Sequence, residues 1–139
     1  MEKEKRIKIF PLYIEDMFNA ADFEFIDNTL EAKQKFVGGL IQGICFDRER
    51  KLDLICNDDG KIMGLPANRV WVMDNKVVDI IAGEAFICRH DGDEYCSIRE
   101  EDKEIVLNTF RPIIGYKDGH FLVVNADDTF EVLEMYKGL

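Results

Sequence analysis

The chain has 139 residues, 47% hydrophobic and 33% charged, the composition of one globular domain with enough apolar surface to bury a core. A formal net charge of −10 excludes broad, sequence-independent attraction to nucleic acid or to an anionic membrane, yet leaves room for a small local basic pocket. No apolar run approaches the roughly 18 residues that a membrane-spanning helix requires, and the charged start Met1-Glu2-Lys3-Glu4-Lys5-Arg6 lacks the apolar stretch of a secretory signal, so a cytoplasmic location is expected.

Residues 6–14, RIKIFPLYI, alternate well enough for a strand, and Pro11 inside them asks for an edge position or a bulge. From Glu15 to Glu31 every charged residue is acidic, which reads either as a solvated face or as an imitation of DNA phosphates. Residues 22–26, DFEFI, form a second strand pattern. In DNTLEAKQKFVGG, Asn28 followed three residues later by Glu31 suggests a capping box, and Gly38-Gly39 offer the left-handed exit, so a helix is expected over 29–37.

Residues 40–46 and 52–56 flank the charged tip Asp47-Arg48-Glu49-Arg50-Lys51 as a β-hairpin does. Asn57-Asp58-Asp59-Gly60 reads as a turn in which Gly60 takes positive φ, followed by a short strand over Lys61 to Met63. Val70 to Met73 looks extended. Val77 to Cys88 is a long apolar strand in which Gly83 suggests a bulge or a close backbone approach. Ser97 and Glu100 form a second capping-box pattern, which predicts a helix over 98–109 ended by Arg111-Pro112. The tail then reads as a β meander, with Lys117-Asp118-Gly119 and Asn125-Ala126-Asp127-Asp128 as its turns.

These elements predict an α+β fold: a curved, mostly antiparallel sheet or partly open barrel, two helices, and a C-terminal meander over 111–139 packed on a 1–110 domain or on a second subunit.

Motif chemistry excludes more than it supports. The four cysteines, Cys45, Cys56, Cys88 and Cys96, are separated by 11, 32 and 8 residues, and neither they nor His90 and His120 fall into zinc spacing, so buried free thiols are expected. A Cys96–His90 nucleophilic pair is conceivable, but sequence spacing supplies no third, orienting group. An EF-hand placed on Gly60 puts Ile55 and Pro66 at ligand positions, and neither side chain carries an oxygen. No phosphate-binding glycine motif, serine elbow or H-E-x-x-H occurs, and no metal or cofactor is expected.

Two groups remain as ligand candidates. Asn68-Arg69, behind the stiff Pro66, can bind a carboxylate or phosphate through paired hydrogen bonds, or can pair within the fold. Arg89 and Tyr95, beside His90, can clamp a nucleotide by stacking and charge, or can simply form an exposed strand end.

Four stretches in order, DNTLEAKQKFVGGLIQ, NDDGKIMGLPANR, DIIAGEAFI and CSIREED, resemble the family known as domain of unknown function 3846, over about Asp27 to Asp102. Gly38, Gly39, Gly60, Gly64, Pro66, Asn68, Arg69 and Gly83 match family positions, whereas Gln42 stands where an acid is commoner and the tail after Phe110 lies outside the resemblance. The resemblance implies a small protein of phages, plasmids and conjugative elements of Gram-positive bacteria. The expected function is a non-catalytic, anti-defence sponge that sequesters a small anionic, nucleotide-type signal, without direct nucleic-acid or membrane binding, and the extra strands offered by the tail suggest a homo-oligomer. The alternatives are an acidic inhibitor of a host defence or restriction enzyme, acting partly as a DNA mimic, and a nucleotide hydrolase.

Overall fold

In the computed structural model, which describes residues 4–137, the apolar alternation resolves into strands and two short helices. In chain order they are β1 (Arg6–Leu12), β2 (Glu24–Asp27), α1 (Leu30–Val37), β3 (Ile41–Asp47), β4 (Leu52–Asn57), β5 (Ala67–Met73), β6 (Lys76–Ala82), β7 (Ala85–Asp91), β8 (Glu94–Cys96), α2 (Lys103–Thr109), β9 (Phe110–Lys117), β10 (His120–Val124) and β11 (Phe130–Glu134). The fold is α+β, with antiparallel strand pairing. One sheet has the order β2-β1-β7-β4-β3, with β8 on β7, and the other the order β11-β10-β9-β5-β6. The second sheet curls until Val77 of β6 bridges Met135, where Tyr136 N–H donates to the Val77 carbonyl at 2.7 Å. No helix among the described residues is long and apolar enough to cross a membrane. The first three residues of the charged start and the last two of the tail lie outside the described residues.

The two sheets share a core. Phe10 and Leu12 of β1, Leu54 of β4 and Ile87 of β7 meet Ile81 of β6 and Phe110 of β9, with Val106 of α2 closing over them. A second apolar cluster lies under α1, where Val37 covers Ile7, Ile9, Ile55 and Phe86. A third fills the curl of the second sheet with Val70, Val72, Val77, Phe121, Val123 and Leu133. The expected meander is present as β9, β10 and β11, and β9 hydrogen-bonds to β5 with Arg69 opposite Pro112. Pro11 sits where β2 has already ended. Arg6 to Ile9 pair with β2, and Phe10 to Leu12 pair with β7, so the missing N–H faces no second ladder.

Both helices lie where the spacing puts them, but their caps differ. Thr29, not Asn28, caps α1, its hydroxyl accepting from Ala32 N–H at 3.1 Å. Asn28 is 2% exposed and turns inward instead, donating to the carbonyls of Glu4 and Tyr95 and accepting from Lys33. The predicted 98–109 helix is a 3-10 turn at Glu100–Asp102 running into α2. Ser97 does not cap it, since its hydroxyl ties Lys8 N–H to Glu4. The carboxylate of Asp102 accepts from Arg99 N–H instead.

Three further expectations are corrected. Residues 61–63 are not a strand: Met63 N–H reaches the Asp59 carbonyl at 2.8 Å, so this stretch is a helical turn. Gly60 does not take positive φ; its role is clearance, because a Cβ there would stand 2.7 Å from the Ala82 carbonyl oxygen. The long strand from Val77 is two strands in different sheets, β6 and β7, and Gly83, at φ +86°, makes the transfer with Leu65 packed against it.

Gly60→Ala is therefore expected to destabilise the fold by about 1–3 kcal/mol, the usual result of forcing a methyl into packed backbone, read as a lower urea midpoint at unchanged slope.

Candidate functional site

At the start of β5 the side chains of Asn68 and Arg69 are buried, 3% and 2% exposed. Asn68 Nδ2 donates to the Leu12 carbonyl at 2.6 Å and to the Gly83 carbonyl at 2.9 Å. Arg69 Nη1 donates to Asn68 Oδ1 at 2.7 Å and to the Tyr13 carbonyl at 3.1 Å, while Nη2 lies 3.7 Å from Asp16. Burial pushes the guanidinium pKa down to about 10, against the pull of Asp16 and Glu84, so it remains a cation at neutral pH. Asp16 also accepts from the N–H groups of Ala20 and Ala21, which fixes the loop leaving β1. This arrangement fastens the ends of β1 and β6 to the start of β5.

Arg89 is similarly engaged. Its Nε and Nη2 donate to the two oxygens of Asp102 at 2.8 and 2.7 Å, a bidentate pair that ties β7 to the turn before α2. Burial pushes the Asp102 carboxyl up, but the Arg89 hydrogen bonds and the Arg99 N–H outweigh it, leaving it below the usual carboxylate range. Tyr95 lies opposite His90 on β8, with its hydroxyl over Gly43 and the Lys33 ammonium 5.4 Å from its ring. Arg69 and Arg89 are thus held by different partners at separate places, and the four residues nominated from sequence do not gather around one cavity.

Strand register assembles a cluster that spacing does not reveal. Cys45 of β3 pairs with Asp53 of β4, Asp53 pairs with Cys88 of β7, and His90 follows two residues on, so all four side chains share one face. Asp53 is 5% exposed, and His90 Nδ1 lies 2.8 Å from its carboxylate. The third, orienting group for His90 therefore exists, and the neighbouring thiol is Cys45, not Cys96. One sulfur, one carboxylate oxygen and one ring nitrogen of Cys45, Asp53 and His90 lie within 4.8 Å of one another. Burial and the Asp53 charge push the Cys45 thiol up. The signal for this cluster was a lone acid, Asp53, inside the otherwise apolar LDLIC.

The surface offers an aromatic and cationic cleft of about 530 Å³ where α1 meets the edge of the first sheet, lined by Arg6, Tyr13, Phe25, Ile26, Lys35 and Phe36 among others. The Tyr13 and Phe36 rings stack at 5.6 Å, and the Arg6 guanidinium lies 5.5 Å from the Phe25 ring. A larger groove of about 730 Å³ beside α2 is lined by the acids Glu100, Glu101, Glu104, Asp127 and Glu131 together with Lys103 and Arg111.

Two outcomes follow from the arginine geometry. Arg69→Ala and Arg89→Ala each strand buried partners and are expected to cost about 3–5 kcal/mol of stability, measured by urea unfolding. Because the folded Asp102 carboxyl lies below its unfolded value, its contribution is present above the unfolded pKa near 4 and is lost as pH falls through the folded one. Asp102→Asn should therefore flatten the acid limb of a stability-against-pH curve.

Comparison with known proteins finds a family and nothing nearer. No curated protein and no solved structure matches the chain. The model of a family described as a domain of unknown function, DUF3846, matches residues 9–111, from within β1 to the start of β9, a span that includes Asn68, Arg69, Arg89, Tyr95 and the Cys45, Asp53 and His90 cluster. The chain therefore belongs to the DUF3846 family.

Proposed function

We propose that this chain is a non-catalytic binding protein of a phage or other mobile element, cytoplasmic, that sequesters a small anionic, nucleotide-type ligand and so counteracts host defence. The observation that carries this reading is the cleft beside α1, where Arg6 and Lys35 stand next to Tyr13, Phe25 and Phe36 on a chain of net charge −10. Aromatic faces accept a nucleobase by stacking whatever its sequence, and flanking cations accept its phosphates. Phe25 is 56% exposed, and the Arg6 contact to Asp27 is a loose 4.0 Å between exposed groups, so both side chains can be recruited at small cost. In this reading the ligand site lies at the cleft, and Asn68 and Arg69 serve it from below by holding the Tyr13 backbone.

The test is calorimetry of the purified chain against a panel of mono-, di- and cyclic nucleotides. The expected result is saturable binding that Phe25→Ala weakens roughly tenfold, consistent with about 1–3 kcal/mol per stacked base, and that Lys35→Glu also weakens, both with unchanged thermal stability. Absence of binding across the panel, or binding indifferent to both substitutions, rejects the reading.

A second reading is supported by the acidic groove beside α2: inhibition of a host enzyme through a basic surface of that partner. Of the acids expected to imitate phosphates, Asp16 is tied to backbone and Arg69, and Glu24 accepts from Tyr13. Glu100, Glu104, Asp127 and Glu131 are then the groove acids whose combined neutralisation should abolish such inhibition, although Glu100 also pairs with Lys8 and Glu131 with Arg111.

A further inference from the structure

We propose that Cys45, Asp53 and His90 form a binding site for a borderline-soft divalent cation of the zinc type. The site is independent of the ligand cleft and rests on strand register. Three adjacent strands, β3, β4 and β7, place the side chains side by side on one face, and the hydrogen-bonded ladder fixes their backbones. Their donor atoms already lie within 4.8 Å of one another. A tetrahedral zinc ion with bonds of about 2.0–2.3 Å holds its ligand atoms about 3.3–3.8 Å apart, so closure asks for side-chain adjustment of roughly an ångström.

The donor chemistry selects the cation. One thiolate, one imidazole and one carboxylate suit zinc and its transition-metal neighbours, whereas magnesium and calcium require oxygen ligands throughout. Charge points the same way. Asp53 is nearly fully buried, and its carboxylate lies 2.8 Å from His90 Nδ1. A dication places positive charge directly against this buried carboxylate and a Cys45 thiolate.

The geometry also separates this site from a cysteine nucleophile. In a nucleophilic triad the acid holds one ring nitrogen and the thiol meets the other. Here the Cys45 sulfur lies within 4.8 Å of both the Asp53 carboxylate and the His90 ring nitrogen, and Asp53 also holds His90, so all three groups converge on one point. Cys45 is exposed and the His90 side chain is 29% exposed, so a fourth coordination position opens to solvent. Three protein ligands and one open position make a site that takes water or an exogenous ligand.

The experiment uses the untagged, chelator-stripped full chain titrated with cobalt(II), which reports thiolate ligation by a near-ultraviolet charge-transfer band, followed by displacement with zinc(II). The expected result is saturation at one equivalent, with the band removed by Cys45→Ser. His90→Gln should weaken binding by more than the roughly 10–100-fold that loss of a ligand's outer hydrogen-bond partner costs. His120→Gln, at the exposed His120–Glu134 pair, should change nothing. Asp53→Asn also disturbs a buried position, so the two variants at accessible positions carry the test, each checked by circular dichroism for retained fold. No saturable binding, a charge-transfer band that survives Cys45→Ser, or binding lost in His120→Gln instead overturns the proposal.

Discussion

Two sheets that share one core must hand the chain across between them, and each crossing leaves carbonyl groups without a ladder partner in the interior. The donors that meet this demand come from Asn68 and Arg69. Three chain segments converge there: the end of β1, with the Leu12 and Tyr13 carbonyls; the transfer from β6 to β7, with the Gly83 carbonyl; and the start of β5 itself. A guanidinium is suited to the place because its planar fork reaches several acceptors from one fixed stem. Its burial lowers its pKa to about 10, which still leaves the charged form that the surrounding oxygens require. Through the Tyr13 carbonyl the same side chain holds the backbone of a residue that lines the cleft beside α1. The loop that looked most like a ligand grip is thus the joint on which the sheets are assembled.

The fold was largely legible because its signals are local. The hairpin of β3 and β4 follows from two apolar runs around a charged tip, and the β9–β10 turn from Asp118-Gly119, whose φ values of +51° and +79° are those an Asp-Gly hairpin turn adopts. What failed was the assignment of polar side chains with two competing uses. Asn28 and Thr29 can both cap α1, and Thr29 does so because Asn28 is engaged by Glu4 ahead of β1, Tyr95 of β8 and Lys33 of α1. Ser97 is claimed by Lys8, 89 positions earlier in the chain and adjacent in space, so it leaves the helix start to Asp102. Such choices are decided by tertiary partners, and no local pattern carries them.

The candidate sites were less legible, for the same reason at larger scale. Asn68-Arg69 and Arg89 stand out by residue type, yet residue type does not say whether a guanidinium faces solvent. The strands that hold them are buried, and each found an acceptor inside the fold. Asp53 carries the opposite lesson: an acid in an apolar strand must find a partner or a cation, but its partners come from β3 and β7, and only register reveals them. Spacing rules for metal ligands presuppose loops and helices. A site built across three antiparallel strands escapes them.

Helix α1 connects the two candidate sites physically. On its inner side Asn28 and Lys33 tie it to the carbonyl and ring of Tyr95, which pairs across the sheet with His90. On its outer side Lys35 and Phe36 line the aromatic cleft, and Phe36 packs edge-on against Phe86 in the core below. A substitution within this packed set shifts both surfaces at once, because close-packed interiors transmit displacement. Exposed positions do not share that defect. Lys35 and Phe25 on one side and Cys45 on the other alter charge, stacking area or donor chemistry while leaving the packing under α1 intact, so ligand capture and cation binding can be separated by them.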